Sequence, residues 1–258
     1  MPPVRILLPP SETKSVGGDG APLALDRLAL PSLTDTRRAV ADALVELCSG
    51  EAGAARAALG LSASLAGEVA ANRELWSSPT APAVRRYTGV LYDALDAASL
   101  TRVQRQRAAG RLYVGSALLG LVAADDPVPH YRLSAGCTVP ALGASLHTTW
   151  RPALAAEVAS WDDEFVVDLR SGSYRQLGPV PGAVTVRVET ERADGTRQVV
   201  SHFNKHHKGL LARVLATSRA EIDDVASLLR VARRAGMTVE RPGTGTGSVE
   251  LTMVVPER

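Results

Sequence analysis

Short apolar runs and helical segments follow one another along this chain in no regular order. Val4–Leu8 and Phe165–Leu169 are apolar runs of strand length, and Val184–Val188 alternates apolar with polar side chains. These patterns predict three strands of one sheet, and the turn residues Asp194 and Gly195 after the last one predict a β-hairpin. Because helices separate the strands without a βαβ rhythm, we expect an α+β fold, a mixed β-sheet surrounded by helices.

Apolar residues at helical spacing predict the helices. Thr34 or Asp35 would cap the first helix, Thr101 would cap a later one, and Gly89 would lie inside a helix. A last strand pair would close around the loop Pro242–Gly247. The predicted segments are helices at 36–48, 54–75 (in two parts), 87–99, 101–111, 205–216 and 221–235, strands at 112–116, 238–240 and 249–255, and a rigid connector at 77–83.

Size and composition limit the classes of protein to which the chain can belong. Its 258 residues are within what one hydrophobic core supports, so we expect a single domain over residues 1–258. No stretch approaches the ~20 apolar residues that cross a bilayer, no signal peptide is evident, and the two cysteines lie far apart. We therefore expect a cytoplasmic protein with reduced thiols and no membrane partner. The net charge is only +2, so anion binding requires a local patch.

The first polar cluster directly follows the first predicted strand. Ser11, Glu12, Thr13 and Lys14 come after two prolines that end the apolar run. Loops at the carboxyl ends of strands are common ligand sites in α/β proteins, so Lys14 is a candidate anion ligand, with Ser11 and Thr13 in support. The alternative is a solvated loop that carries one lysine.

The second cluster contains Gly89 and Tyr92. A glycine inside a helix costs roughly 1 kcal/mol relative to alanine, so Gly89 needs a reason in packing or in ligand binding. Tyr92 is one of only five tyrosines in the chain. Both explanations stay open for this cluster.

The third cluster extends from Ser116 and Gly120 to a loop between prolines that presents Asp126, Tyr131 and Arg132. Prolines stiffen the backbone of such a loop. Arg132 either clamps a phosphate or carboxylate or makes a structural salt bridge to Asp126. Tyr131 and Asp126 are the candidates for acid–base catalysis.

The fourth cluster is the most basic part of the chain. Lys205, Lys208 and Arg213 follow a predicted strand and lie at or near the start of a helix, where the helix dipole already favours anions. A negatively charged partner fits this arrangement, and a solvated basic surface is the alternative.

We expect neither a metal site nor a cofactor. His202, His206 and His207 include a pair spaced for one helix face, but no carboxylate or cysteine accompanies them and two lysines would repel a cation. The nucleophile-elbow, phosphate-loop, zinc-protease and dinucleotide motifs are missing from the sequence.

The four clusters occur in the order found in the YaaA family of peroxide-stress proteins, which the chain resembles over nearly its whole length. The family's first-loop motif resembles 7–14, and its Gly-x-x-Tyr block resembles 89–92. Its third block resembles Ser116, Leu118, Gly120, Asp126 and 131–133, its Asn-Leu-x-Ser element resembles 168–174 with Ser171, and its last helix resembles Lys205, Lys208, Gly209 and Arg213. The resemblance implies a cytoplasmic protein of oxidative stress that limits free iron, with a fold of its own and a positively charged cleft for DNA.

Five positions depart from the family pattern. Glu12 stands where the first loop has a lysine, unless Lys14 takes that role, and the other departures are Val90, Ala123, Asp168 and Ser134. These differences indicate a divergent branch in which the anion site is kept and the rest is retuned.

Three functions are compatible with these residues. The first is a stress protein that binds duplex DNA through phosphate contacts, with the arginine-rich segment 101–111 adding to the cleft. The second is an enzyme that acts on a nucleotide-like or phosphorylated small molecule, and the third is a scaffold without a ligand. For either of the first two, we expect one cleft to be shared by Lys14, Tyr92, Arg132, Lys205, Lys208 and Arg213.

Overall fold

The computed structural model describes residues 4–161, 164–192, 194–199, 204–241 and 249–256. Within these ranges the chain forms eleven strands and ten α-helices. The strands are β1 Arg5–Leu8, β2 Gly20–Pro22, β3 Pro79–Pro82, β4 Leu112–Ser116, β5 Gly120–Ala123, β6 Pro127–Pro129, β7 Val166–Asp168, β8 Val184–Glu191, β9 Arg197–Val199, β10 Thr238–Glu240 and β11 Glu250–Pro256. The helices are α1 Thr34–Ser49, α2 Ala52–Ala58, α3 Ala66–Arg73, α4 Ala83–Arg86, α5 Val90–Leu95, α6 Arg102–Ala109, α7 Leu146–Ala159, α8 Gly172–Leu177, α9 Asn204–Thr217 and α10 Val225–Arg234.

The main sheet has the strand order β10-β11-β8-β7-β1-β4-β5, and β9 pairs with β8. The neighbours from β11 to β4 are parallel, whereas β10, β5 and β9 each pair antiparallel with the strand beside them. Ile6, Leu7 and Leu8 of the central strand β1 are fully buried, as expected for a strand covered on both faces. The predicted mixed sheet, its three strands and the hairpin are confirmed.

A second sheet, β2-β3-β6, lies in segments where no strand was predicted. Prolines at both ends of β3 and of β6 remove backbone donors, and for that reason the sequence suggested only a connector. The Arg86 side chain supplies donors instead. Its Nε donates to the Val128 carbonyl at 2.9 Å, and its Nη2 donates to the Gly17 and Pro79 carbonyls at 2.7 and 3.2 Å. One buried guanidinium therefore connects the first loop to the small sheet.

The helix predicted at 87–99 is shorter than expected. Gly89 has φ +95° and precedes α5 rather than lying inside it, and Asp96 ends the helix with φ +45°. The predicted caps on Thr34 and Asp35 are wrong, because α1 begins after Leu33 with no side-chain cap.

Other boundaries agree with the sequence patterns. Thr101 forms a capping box with Gln104 at the start of α6, and Gly236 follows the end of α10 with φ +76°. No helix had been predicted for α7, which contains Pro152 in its interior, or for α8. The predicted loop Pro242–Gly247 lies outside the described residues. No helix in the described ranges has the length and apolar content needed to cross a membrane.

Helices α5 and α9 approach each other closely at Gly209. A Cβ atom placed on Gly209 would lie 2.2 Å from the Leu91 carbonyl oxygen and 2.8 Å from the Ala94 Cβ. Gly209 is buried in α9, so only a glycine lets the two helices pack at this distance. This contact fixes where the first turns of α9 lie relative to β1.

We predict that Gly209→Ala lowers the free energy of unfolding by about 1–3 kcal/mol, because the new methyl group overpacks the α5–α9 contact. Gly67→Ala is the matched control. Gly67 is also in a helix, but its Cβ would meet no atom within 4 Å, so we expect a gain of roughly 0.5–1 kcal/mol. Urea denaturation of both variants measures the difference, and equal stabilisation of both would contradict the close approach.

Candidate functional site

The centre of the main sheet contains a topological switch point. Strands β1 and β7 are parallel neighbours, but the chain continues in the sheet from β1 to β4 on one side and from β7 to β8 on the other. In parallel sheets a crevice forms beyond the carboxyl ends of two such strands, where ligands bind. The loop that carries Lys14 follows β1, and the segment that carries Ser171 follows β7. The sheet thus brings the first predicted cluster and Ser171, which the family resemblance indicated, to one edge.

Three tyrosines and one serine form a buried network at this edge, the tyrosine cluster of Tyr87, Tyr92, Tyr131 and Ser116. The rings of Tyr87 and Tyr92 stack with centroids 5.7 Å apart, and the Tyr92 hydroxyl donates to the Pro9 carbonyl at 2.8 Å. The Tyr131 hydroxyl lies 2.8 Å from the Tyr87 hydroxyl and 2.8 Å from Ser116 Oγ. Ser116 is the last residue of β4, so the network lies at the same carboxyl edge as the loop after β1.

The hydrogen bonds of this network have a direction. Ser116 Oγ accepts from the backbone N–H groups of Leu118 and Leu119 at 3.2 and 2.9 Å, which uses both of its lone pairs. Its hydroxyl therefore donates to Tyr131, and Tyr131 donates to Tyr87. Burial raises the pKa of Tyr87 and Tyr131, so both phenols stay protonated near neutral pH. The chain of hydroxyls ends in a hydrogen-bond donor on Tyr87.

Lys14 lies against the tyrosine cluster. Its backbone forms a β-bridge to Tyr87, and its Nζ lies 4.2 Å from the Tyr131 ring centroid and 5.4 Å from that of Tyr87. Nζ also donates to the Ser11 carbonyl at 3.0 Å. Burial lowers the pKa of Lys14 from its usual 10.5 to about 8, and the nearby Glu12 carboxylate opposes this shift only in part. Lys14 therefore holds its proton less tightly than an ordinary lysine.

Arg132 is paired with Glu12 and not with Asp126. Its Nη1 donates to the Glu12 carbonyl at 2.8 Å, and its Nη2 lies 3.1 Å from Glu12 Oε2. Asn72 fixes the Arg132 backbone by donating to its carbonyl at 2.9 Å and accepting from its N–H at 2.8 Å. The Glu12 side chain is 58% exposed and that of Arg132 19%. The Glu12 carboxylate thus already binds the Arg132 guanidinium, which was predicted to clamp an anion.

The polar residues around Lys14 shape its loop. Ser11 Oγ accepts from the Thr88 N–H at 3.0 Å, and the hydroxyls of Thr13 and Thr88 lie 3.3 Å apart. Gly89 follows directly with its positive φ. These contacts join the loop after β1 to the start of α5 and account for the supporting residues Ser11, Thr13 and Gly89.

Lys208 lies on α9 and is half-buried. Burial lowers its pKa, Arg175 adds to this shift, and Asp168 opposes it. Asp168 itself accepts from Arg170 Nε at 2.9 Å and Nη2 at 2.7 Å. Lys208 therefore lies near the carboxyl end of β7, while Lys205 on the preceding turn is exposed.

Three of the predicted site residues have other partners. Arg213 Nη1 donates to the Leu95 and Asp96 carbonyls at 2.7 and 2.6 Å and so caps the end of α5. The Asp126 carboxylate accepts from the backbone N–H groups of Ala29 and Ala123, and its contacts among the described residues do not include the tyrosine cluster. Gly120, with φ +72°, makes the turn between β4 and β5 where a Cβ would lie 2.6 Å from the Trp150 ring. Ser171 is exposed before α8, and its role as a ligand contact stays a prediction.

The histidines form no metal centre in the part of the chain that the structure describes. No group of three or more His, Cys, Asp and Glu side chains there lies close enough to hold a metal ion. The rings of His206 and His207 meet edge to face with centroids 5.4 Å apart, and His202 lies outside the described residues.

One cavity adjoins the tyrosine cluster, and a second lies beside the first loop. One of about 270 Å³ is lined by Tyr87, Thr88 and Tyr92 among others. The other, of about 370 Å³, is lined by residues that include Gly17 and His130, on the loops that carry Lys14 and Tyr131. The second cavity is within the range of roughly 300–1,000 Å³ found for small-molecule sites, and the first is just below it.

The main residue of the site that was not predicted is Asn72. Tyr174 was matched only as the end of the family element 168–174. Burial raises its pKa, and the nearby Glu12 carboxylate adds to this shift. Two residue types that are rare in this chain indicated the site in the sequence. Four of the five tyrosines lie here, and all three lysines belong to predicted site clusters.

Comparisons with known proteins agree with the resemblance. The family model described as peroxide stress protein YaaA matches residues 4–240. A UPF0246 protein of Corynebacterium efficiens is 53% identical over 242 residues, covering 91% of this chain and 94% of the relative. UPF0246 proteins of Corynebacterium glutamicum and Streptomyces coelicolor are 48% and 45% identical, covering 91% and 94% of this chain and 94% of each relative.

The lowered pKa of Lys14 predicts a pH dependence of stability. Between about pH 8 and 10.5 the folded protein holds fewer protons at Lys14 than the unfolded chain, so the free energy of unfolding contributed by this group rises with pH. We expect wild type to gain on the order of 1–3 kcal/mol relative to Lys14→Met across this window. Denaturation at several pH values measures the gain, with Lys205→Met as an exposed control. Parallel curves for wild type and Lys14→Met would contradict the burial of the amine.

Proposed function

The chain belongs to the peroxide stress protein YaaA family, and we propose that it acts in peroxide stress by binding a phosphate-bearing small molecule in the cytoplasm. The site of binding would be the crevice at the carboxyl edge of β1 and β7. The single observation that carries this proposal is the placement of Lys14 and Arg132 beside the buried tyrosine cluster at a topological switch point. The proposal includes the limiting of free iron that the family resemblance implies.

The donors at this edge fit a phosphate. A guanidinium presents paired N–H groups that match two oxygens of a phosphate, and an ammonium adds a point charge. Arg132 and Lys14 supply these groups, and the Tyr87 hydroxyl ends a chain of donors beside them. In a reaction on such a ligand, Lys14 would accept a proton and Tyr87, the donor at the end of the hydroxyl chain, would donate one.

The enclosure of these groups favours a small ligand over duplex DNA. Lys14 is half-buried and the tyrosines are less than a tenth exposed, whereas DNA-binding cations lie on an open surface. Two of the four arginines in segment 101–111 are also occupied: Arg107 donates to the Thr217 carbonyl at 3.0 Å, and Arg111 donates to the Leu215 carbonyl at 2.9 Å.

Duplex DNA is the second candidate ligand, and one observation supports it. Lys205 is exposed on the first turn of α9, one turn before Lys208, where the helix dipole adds to its field. This pair would contact phosphates along a backbone without reading bases.

Titration calorimetry with nucleoside mono- and diphosphates and inorganic phosphate tests the proposal. We expect Arg132→Gln to weaken binding by about ten- to a hundredfold, the loss of a charge-assisted hydrogen bond of ~1.5–3 kcal/mol. Glu12→Gln should strengthen binding severalfold, because the competing carboxylate is gone. Arg151→Gln, an exposed arginine on α7, is the control and should bind as wild type does. Equal affinities in all four proteins would refute the assignment of the site.

Titrations of wild type and Lys205→Ala with duplex DNA at several salt concentrations test the second candidate. If DNA is the ligand, log K falls with log salt, and Lys205→Ala reduces the slope by about 0.9. A slope near zero in wild type excludes duplex DNA.

A further inference from the structure

Lysine is the rarest cationic residue in this chain. Of the 29 lysine and arginine residues only Lys14, Lys205 and Lys208 are lysines. Arginine serves even at fully buried positions, where Arg37 donates to two carbonyls of the β4–β5 region. A guanidinium keeps its proton at any physiological pH, whereas an ammonium can lose it and become a nucleophile. Arginine thus fills nearly all of the lysine and arginine positions, and an amine that can act as a nucleophile is present at only three of them.

Nζ of Lys14 has few partners that would hold its proton. It donates to one carbonyl, that of Ser11, and faces the rings of Tyr131 and Tyr87, whose π faces attract its charged form. No carboxylate makes an ion pair with it among the described residues, since Glu12 is paired with Arg132. Burial acts against the attraction of the rings and lowers the pKa of Lys14, and the Arg132 guanidinium adds to this shift. The residue is nevertheless partly exposed.

The other two lysines are less suited. Lys205 is exposed, so water solvates its charged form. Burial and Arg175 lower the pKa of Lys208 as well, but the nearby Asp168 and Glu250 carboxylates oppose this shift and favour its charged form. Lys14 alone combines aromatic contacts, a hydroxyl chain and a neighbouring guanidinium for an anion.

We propose that Lys14 forms an imine with the carbonyl group of a phosphate-bearing aldehyde. The inference rests on the proposed function, because Arg132 must first hold the phosphate. The neutral amine adds to the carbonyl carbon, and a proton passes from nitrogen to oxygen to give a carbinolamine. The carbinolamine then loses its hydroxyl with the second amine proton as water and leaves a C=N bond. Nothing is oxidised or reduced, and the step is reversible by hydrolysis.

The test uses pyridoxal 5′-phosphate, an aldehyde that carries a phosphate, with borohydride to reduce any imine to a stable amine. Peptide mass mapping then locates the label, which is unambiguous because the chain has three lysines. At pH 7 we expect Lys14 to be labelled at least ten times faster than Lys205, since an amine with pKa about 8 is on the order of a hundredfold more deprotonated than an ordinary lysine. Pyridoxal without the phosphate should label Lys14 much more slowly.

Two variants complete the design. Lys14→Arg keeps the positive charge and should abolish the fast label, whereas Lys205→Arg, at an exposed position of α9, should retain it. Fast labelling of Lys205 or Lys208 instead, or equal rates at all three lysines, overturns the proposal.

Pyridoxamine 5′-phosphate, which has no aldehyde, separates this inference from the proposed function. If wild type and Lys14→Arg both bind it but pyridoxal 5′-phosphate gives no fast label, the phosphate site stands and the imine is refuted. If neither protein binds it and the nucleotide titrations also fail, the proposed function itself is wrong. Binding by Lys14→Arg also shows that this variant is folded.

Discussion

Buried guanidinium groups that donate to backbone carbonyls hold the parts of this fold together. Arg37 bonds two carbonyls of the β4–β5 region at 3.0 and 2.6 Å, Arg111 bonds two carbonyls at the end of α9, and Arg86 joins the first loop to the proline-rich small sheet. These carbonyls lie at turns, at a helix end, on the edge strand β5 or on proline-interrupted strands, where backbone donors are lacking. A guanidinium with five donors satisfies several of them at once, and the charge makes each bond stronger than a neutral one. The irregular loops that surround the site depend on these contacts.

This use of arginine changes what the basic composition means. Arginines whose guanidinium groups donate to buried carbonyls do not form an exposed positive surface, although they are counted as positive charges in the composition. Arg213 looked like an anion ligand on the last long basic segment, but its guanidinium caps α5 instead. What is left for a ligand at the crevice is a small set of groups, chiefly Lys14, Arg132 and Lys208, of which two are amines with lowered pKa values. A site with few, half-buried cations is selective by geometry and not by the strength of its field.

The sequence predicted what depends on local pattern and missed what depends on contacts between distant segments. Strands β1, β7 and β8 followed from apolar runs and alternation, and Thr101 was found as a cap because the capping box is a four-residue signal. The small sheet was missed because its prolines are normally read as strand breakers and its donors come from a side chain elsewhere. The pairing of Arg132 joins residues 120 positions apart, and no local rule indicates that Glu12, rather than Asp126, is the partner. The resemblance supplied the candidate residues, and only the fold showed which of them lie close together.

The pairing of Glu12 with Arg132 explains how such a site stays selective before a ligand arrives. An unpaired guanidinium at the crevice would attract any small anion, but here the carboxylate already neutralises it. Because the Glu12 side chain is more than half exposed, the pair contributes only about 0–1 kcal/mol, and a ligand displaces it at little cost. A monovalent anion that displaced Glu12 would bind Arg132 about as strongly as the Glu12 carboxylate does. A phosphate brings greater charge and a third oxygen within reach of the Lys14 amine and the tyrosine hydroxyls, so it gains contacts that the carboxylate does not make. Under the proposed function, the departure at position 12 would make the loop respond to a multivalent ligand, because Glu12 neutralises Arg132 until such a ligand displaces it.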